Sequence, residues 1–164
     1  MINNIEEYIK MSVFERNHWW YKTLRYSIYK VILDSFNKNK NISILDAGCG
    51  TGGTLLYLNN KGYHNIYGFD ISNYAVEICK KRKLNVFHED IRNIDKYFNA
   101  DSIDIIICSD ILYFLNFDEI KKVLQHFFTI LKNNGIVIIN LPALKIFRGT
   151  HDIAVGIKCR FSNT

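Results

Sequence analysis

Four carboxylates fall where four successive strands of an α/β pattern would end: Asp46, Asp70, Asp90 and Asp110. The first runs straight into a glycine loop, in which Gly48, Gly50, Gly52 and Gly53 are separated only by Cys49 and Thr51. Glycine at that density lets the backbone turn tightly and approach a ligand with no Cβ in the way. In an open α/β sheet, ligands bind outside the carboxyl ends of the strands. The acidic rim and the loop would therefore face one crevice. The whole chain carries a net charge of +5. An acidic crevice in a basic protein suits a cationic nucleoside derivative better than a pyrophosphate.

Short apolar runs must position these groups. Residues 42–46 form one such run, ending in the loop. Residues 66–70 form a second, and residues 84–88 a third, which ends at Glu89-Asp90. The fourth, residues 104–109, holds the unbroken stretch Ile105-Ile106-Ile107-Cys108. Continuous rather than alternating apolarity implies burial on both faces, as in a parallel sheet. Residues 136–141 make the fifth, closed by Pro142. Ser72 is placed to cap a helix reaching about Lys83. Ile120, Val123, Leu124, Phe127, Phe128 and Leu131 recur at three- and four-residue steps, the mark of an amphipathic helix. Asn133-Asn134-Gly135 would stop that helix with a left-handed cap. Residues 5–36 read as two helices, followed by the polar break 37–41. Alternating β and α elements imply a doubly wound, mostly parallel α/β sheet.

At 164 residues the chain is long enough for one domain with a real core. It divides into an N-terminal helical cap (1–41), a core carrying the loop (42–142) and a final loop (143–164). A single proline argues against linkers. No run of about 18 apolar residues exists to span a membrane. The N-terminus lacks the basic start and apolar stretch of a signal peptide, which implies a cytoplasmic protein. The four cysteines form no Cys-x-x-Cys pair, against a zinc ribbon or redox motif, and Cys49 reads as a small residue in a tight turn. Histidines 18, 64, 88, 126 and 151 are scattered, so no metal site is expected. The basic run Lys80-Lys81-Arg82-Lys83 reads as a solvated helix end that complements the dipole rather than as a nucleic-acid patch.

The loop fits two templates. Gly48-x-Gly50-x-x-Gly53 matches the dinucleotide fingerprint, which keeps a nicotinamide-dependent oxidoreductase as an alternative. Gly48-x-Gly50-x-Gly52 matches a methyltransferase loop. Asp46, directly before the loop, would sit poorly beside pyrophosphate but can help organise the loop around an ammonium group. Glu89-Asp90 offers a carboxylate to an adenine amino group, and about 40 residues precede the first strand. No Gly-Lys-Ser/Thr follows, which excludes a Walker loop.

Residues 44–52, Ile44-Leu45-Asp46-Ala47-Gly48-Cys49-Gly50-Thr51-Gly52, resemble the first motif of the class I S-adenosylmethionine-dependent methyltransferases. Tyr67-Gly68-Phe69-Asp70-Ile71-Ser72 is similar to the second motif, Glu89-Asp90-Ile91 to the third, Ser109-Asp110-Ile111-Leu112 to the fourth, and Leu131-Lys132-Asn133-Asn134-Gly135 to the turn before the fifth strand. The resemblance implies a Rossmann-like sheet in the order 3-2-1-4-5. On the same resemblance, the last two strands of the family's usual seven are expected to be absent from these 164 residues. It implies that Gly48, Cys49, Gly50 and Gly52 surround the methionine part of the cofactor. Asp70 would bind the ribose hydroxyls, with Ile71 against the adenine. Asp90 would accept from the adenine amino group, with Ile91 facing the ring. Ser109 and Asp110 would lie near the sulfonium.

His18-Trp19-Trp20-Tyr21-x-x-x-Arg25 resembles the N-terminal helix of a branch found among small-molecule and sugar-pathway methyltransferases. There the aromatics read either as a core plug or, with Tyr21, as a lid over the cofactor. Arg25 reads either as a partner of the cofactor carboxylate or as a surface residue. Pro142-Ala143, His151-Asp152 and Gly156-x-x-x-Arg160 resemble the segment after that branch's fifth strand, except that Ile157 stands where a histidine is common. Asp110, His151 and Asp152 are the candidate catalytic groups, with Tyr113 as a contact. The implied activity is methyl transfer from S-adenosylmethionine to an oxygen or nitrogen of a small-molecule acceptor, giving S-adenosylhomocysteine. The alternative is a non-catalytic or truncated cofactor-binding module. An uncovered fifth strand would favour a homodimer.

Overall fold

The apolar runs become the strands of one sheet. The computed structural model describes residues 5–142; His151, Asp152 and Ile157 lie outside the described residues. Helices α1 (Ile5–Asn17) and α2 (Trp19–Ser35) come first, broken at His18. The sequence continues through β1 (Ile44–Ala47), α3 (Gly53–Asn60), β2 (Ile66–Asp70), α4 (Asn73–Lys81), β3 (Val86–His88), β4 (Ile103–Ser109), α5 (Phe117–Ile130) and β5 (Leu131–Asn140). Single 3₁₀ turns at Ile91–Lys96 and Leu112–Phe114 follow β3 and β4.

The strand order is β3-β2-β1-β4-β5, and every pairing is parallel. The order of the strands therefore reverses between β1 and β4, the place where such folds bind ligands. Central strands are buried on both faces, as their unbroken apolarity predicts. Ile44, Ile105 and Ile107 pack against Ile28, Leu55 and Val76 on one side. Leu45, Ala47, Ile106 and Cys108 pack against Ile120, Val123 and Phe127 of α5 on the other. Ser72 caps α4 by accepting from the Ala75 N–H at 3.4 Å. Asn116 and Glu119 form a reciprocal capping box at the start of α5.

Several boundaries differ from the sequence reading. β1 begins at Ile44 and β3 at Val86. α4 stops at Lys81, because Lys83 turns left-handed (φ 59°) and the Leu84 N–H closes back on the Cys79 carbonyl at 3.0 Å. The largest difference is at α5. The helix ends at Ile130, before the expected stop, and Leu131 is already extended. Leu131 pairs with Ile103, and the next pair is Ile105 with Ile136. The stretch 132–135 bulges out of the ladder, with Asn134 at φ 67°. Asn133-Asn134-Gly135 thus kinks a strand instead of capping a helix, because Leu131 finds its apolar partner in the sheet.

Candidate functional site

β1 delivers the chain to the glycine loop, and three glycines there are left-handed: Gly48 (φ 93°), Gly50 (φ 54°) and Gly52 (φ 82°). A Cβ on Gly48 would collide with the Ile111 side chain. Gly53 opens α3 in ordinary helical geometry, but a Cβ there would strike the Glu15 carboxylate and approach Arg25 Nη1 at 2.9 Å. The loop is pinned from beneath, since the N–H groups of Gly48 and Cys49 both donate to the Phe69 carbonyl at 2.8 Å. Asp70 completes the cradle. Its Oδ2 accepts from the Gly50 N–H and its Oδ1 from the Ser72 N–H, each at 2.8 Å. Burial holds its carboxyl above the usual range, and these two donors act against that.

A cavity of about 710 Å³ lies above the loop at the carboxyl ends of the strands. Asp46, Gly48, Cys49, Gly50, Asp70 and Ile71 line it. So do Asp90, Ile91, Ser109 and Asp110 from the next two strand ends, and Tyr21 and Arg25 from α2. Gly52 does not reach it; a Cβ there would meet Leu84 and Cys79 instead. The loop turns away from the cavity at that point to start α3. Cys79 Sγ donates to the Gly50 carbonyl at 3.3 Å, and contact with Cys79 together with burial pushes the Cys49 thiol well up. That suits the small-residue reading of Cys49 and disfavours a thiolate.

Asp46 is only 3% exposed. Burial, then the charges of Asp70 and Glu15, push its carboxyl up to about 7. Asp110 follows β4 in a left-handed conformation (φ 57°). Both of its oxygens accept from the Asn140 amide at 3.2 Å, and its N–H donates to the Asn140 carbonyl at 2.9 Å. Burial raises its carboxyl, against the Asn140 bond. Ser109 Oγ is buried and makes no hydrogen bond. Asp90 lines the cavity with its carboxylate already paired. Both of its oxygens are held by the Arg92 guanidinium, at 2.9 Å from Nε and 2.6 Å from Nη2, which lowers its carboxyl. Arg92 sits two residues along the 3₁₀ turn, so its fork reaches back, and Nη1 goes on to Glu119 at 2.6 Å. His88 closes β3 with Nε2 at 3.0 Å from the Ile71 carbonyl.

The N-terminal helices hold most of what the sequence reading missed. Glu15 of α1, 6% exposed, accepts from Thr51 Oγ1 at 2.7 Å and from Arg82 Nη1 at 2.6 Å. Arg82 also donates to the carbonyls of Thr51 and Ser12 at 2.7 and 2.9 Å. Arg25 is buried, not a surface residue, and donates to the Glu15 carbonyl at 2.5 Å. The basic run is therefore not simply a solvated helix end: Arg82 clamps α1 onto the loop, across 67 residues of sequence. Tyr8 and Glu15 are the buried residues of α1, two helical turns apart, and that spacing from an aromatic residue is the one signal in the sequence that could have pointed to Glu15. Trp19 and Trp20 are 67% and 43% exposed and pack edge-on against each other. Neither plugs the core nor lines the cavity, whereas Tyr21 of the same turn does.

Seven carboxylates and two guanidiniums line the cavity, and both guanidiniums are committed, Arg25 to Glu15 and Arg92 to Asp90 and Glu119. A cavity lined in this way favours cations. Among the described residues, no group of three or more potential ligands could hold a metal ion. No helix among them is long and apolar enough to cross a membrane.

The profile of a family described as a methyltransferase domain matches residues 44–135, more than half of the chain. The chain is 28% identical over 113 residues to a phosphoethanolamine N-methyltransferase of Plasmodium falciparum, covering 67% of this chain and 42% of that protein. It is 32% identical over 115 residues to O-methyltransferase 3 of Dictyostelium discoideum, covering 63% and 26%. It spans less than half the length of either relative. Among solved structures, DesVI of Streptomyces venezuelae superimposes with a TM-score of 0.70 at 17% identity, over 90% of this chain and 62% of that one, a likeness of fold alone.

Proposed function

This chain belongs to the class I S-adenosylmethionine-dependent methyltransferase family, and we propose that it moves a methyl group from S-adenosylmethionine to an oxygen or nitrogen of a small-molecule acceptor. The observation that carries the reading is Asp70. Its two oxygens are fixed by the Gly50 and Ser72 N–H groups at the mouth of an acidic cavity, which leaves its remaining lone pairs for a ribose diol. The cavity fits the cofactor in a further way: Gly48 and Gly50 line it in left-handed conformations, so bare backbone forms that part of its wall.

In this reading Asp70 holds the ribose, and Gly48, Cys49 and Gly50 accept the methionine end, with Asp46 behind them. Ile71 and Ile91 flank the adenine. When bound, the cofactor supplies an activated methyl group on a sulfonium, whose leaving group is a neutral thioether. The leaving side needs little acid, so positioning the acceptor on the line of attack does much of the work. An acceptor that carries a proton also needs a base, and Asp110 is the carboxylate best placed for that among the described residues. The P. falciparum and D. discoideum relatives are named for N- and O-methylation, in keeping with a nitrogen or oxygen acceptor.

Calorimetry with S-adenosylhomocysteine and with NAD tests the reading. Binding of the first and not the second is expected; binding of NAD alone overturns it. Binding without methyl transfer to any member of an acceptor panel would instead indicate a cofactor-binding module.

A further inference from the structure

Resting on the methyl-transfer reading above, we propose that the acceptor is an amine, held as its ammonium by the Asp110 carboxylate and the Ser109 hydroxyl at the carboxyl end of β4.

Of the seven carboxylates around the cavity, five are already engaged. Glu15 holds Arg82 and Thr51. Asp70 holds two loop N–H groups. Glu89 accepts from the Asp90 N–H at 2.8 Å and from Tyr97 at 2.9 Å. Asp90 and Glu119 share Arg92. Asp46 lies under the loop, on the cofactor side. Asp110 is different. Among the described residues the only hydrogen-bonding partner of its carboxylate is the neutral amide of Asn140, and no cationic side chain among them balances its charge. Ser109 Oγ next to it is buried with its hydrogen-bonding capacity unused. A buried hydroxyl without a partner is costly, and a ligand donor or acceptor at this point would satisfy it. Ser109 ends β4 and Asp110 follows it, and both residues line the cavity.

An ammonium fits this pair. Its N–H groups make charge-assisted bonds to the carboxylate, and the field of the cavity favours it. An anionic acceptor would meet Asp110 and Asp46 with neither guanidinium free to compensate. An alcohol would gain nothing from the field. The ammonium must lose a proton before it can react. Burial holds the Asp110 carboxyl above its usual range, which brings it closer to the requirements of a base. The step balances. The proton passes from nitrogen to an Asp110 oxygen. The freed lone pair forms the new N–CH₃ bond. The electron pair of the S–CH₃ bond remains on sulfur, which becomes a neutral thioether.

The test uses the full chain saturated with S-adenosylhomocysteine. NMR titration then compares matched probes that differ at one functional group: benzylamine with benzyl alcohol, and glucosamine with glucose. The amine of each pair should bind at least about tenfold more tightly. Asp110→Asn should shrink that ratio to about threefold or less. Asparagine tolerates the left-handed backbone, so the variant should fold, and a retained unfolding transition checks this. Asn140→Ala, which leaves the carboxylate but removes its brace, should reduce the ratio by a smaller factor and guards against a misfolded Asp110 variant. Equal or weaker binding of the amines, no uptake of any probe, or an unchanged ratio in Asp110→Asn overturns the proposal. Failure of the saturating ligand to bind at all would instead strike the methyl-transfer reading itself.

Discussion

The sharpest consequence of the geometry concerns Asp46. Its carboxyl is buried and pushed up to about 7, against an unfolded value of about 3.9. A carboxyl whose folded value lies above the unfolded one binds its proton more tightly in the folded state. The stability this provides is complete below about pH 4 and disappears as pH rises towards 7. Three pH units at about 1.4 kcal/mol each give an upper bound of about 4 kcal/mol. Asp46→Asn removes the titration, so the free variant should be more stable than the parent at pH 8, by up to about that amount. Near pH 4 the two should be close. Ligand binding should show the mirror image. About one free molecule in eleven has Asp46 ionised at pH 6, and about ten in eleven at pH 8. If the carboxylate supports the ammonium of the ligand, affinity for S-adenosylhomocysteine should rise about tenfold between those pH values, or about 1.4 kcal/mol. The slope should vanish in Asp46→Asn, which also controls for titration of the ligand. Urea unfolding at pH 5 and pH 8 gives the first quantity and calorimetry the second. A pH-independent affinity in the parent, or an Asp46→Asn variant no more stable at pH 8 than at pH 5 relative to the parent, refutes the reasoning.

Asp70→Ala should weaken S-adenosylhomocysteine binding by about 30-fold or more, since it removes the ribose acceptor and frees two loop N–H groups; unchanged affinity in calorimetry would sink the assignment. Glu15→Ala leaves Arg82 buried without its partner and should cost about 3–5 kcal/mol in urea unfolding, whereas the double change Glu15→Leu with Arg82→Met should recover most of that loss. β5 pairs only with β4 among the described residues, and Ile139 is 42% exposed. The chain is therefore expected to dimerise through that edge, and a monodisperse monomer in light scattering at high concentration would contradict it.

The order of elements was legible because each strand is a short apolar run, and the first four carry a carboxylate at or just past their ends. Ile105 to Cys108 had to be buried on both faces, and they are. The glycine loop announced its left-handed turns through residue type alone. Errors arose where local signals met tertiary demand. Asn133-Asn134-Gly135 is a good helix stop, yet Leu131 was drawn into the sheet and the turn became a bulge. Lys80 to Lys83 is a good solvated helix end, yet Arg82 found Glu15. Trp19 and Trp20 had the composition of a core plug but stand in solvent.

From the chain alone came the parallel sheet, the cradle and the acidic character of the crevice, because periodicity and residue type act over a few neighbours. Which carboxylates remain available in that crevice was decided only when the fold closed. Arg92 bridged its near neighbour Asp90 to Glu119, Arg82 took Glu15, and Asp110 was left with an amide. Those outcomes depend on pairings between residues up to dozens of positions apart. Burial then sets how strongly each remaining charge is felt, and no local pattern encodes that.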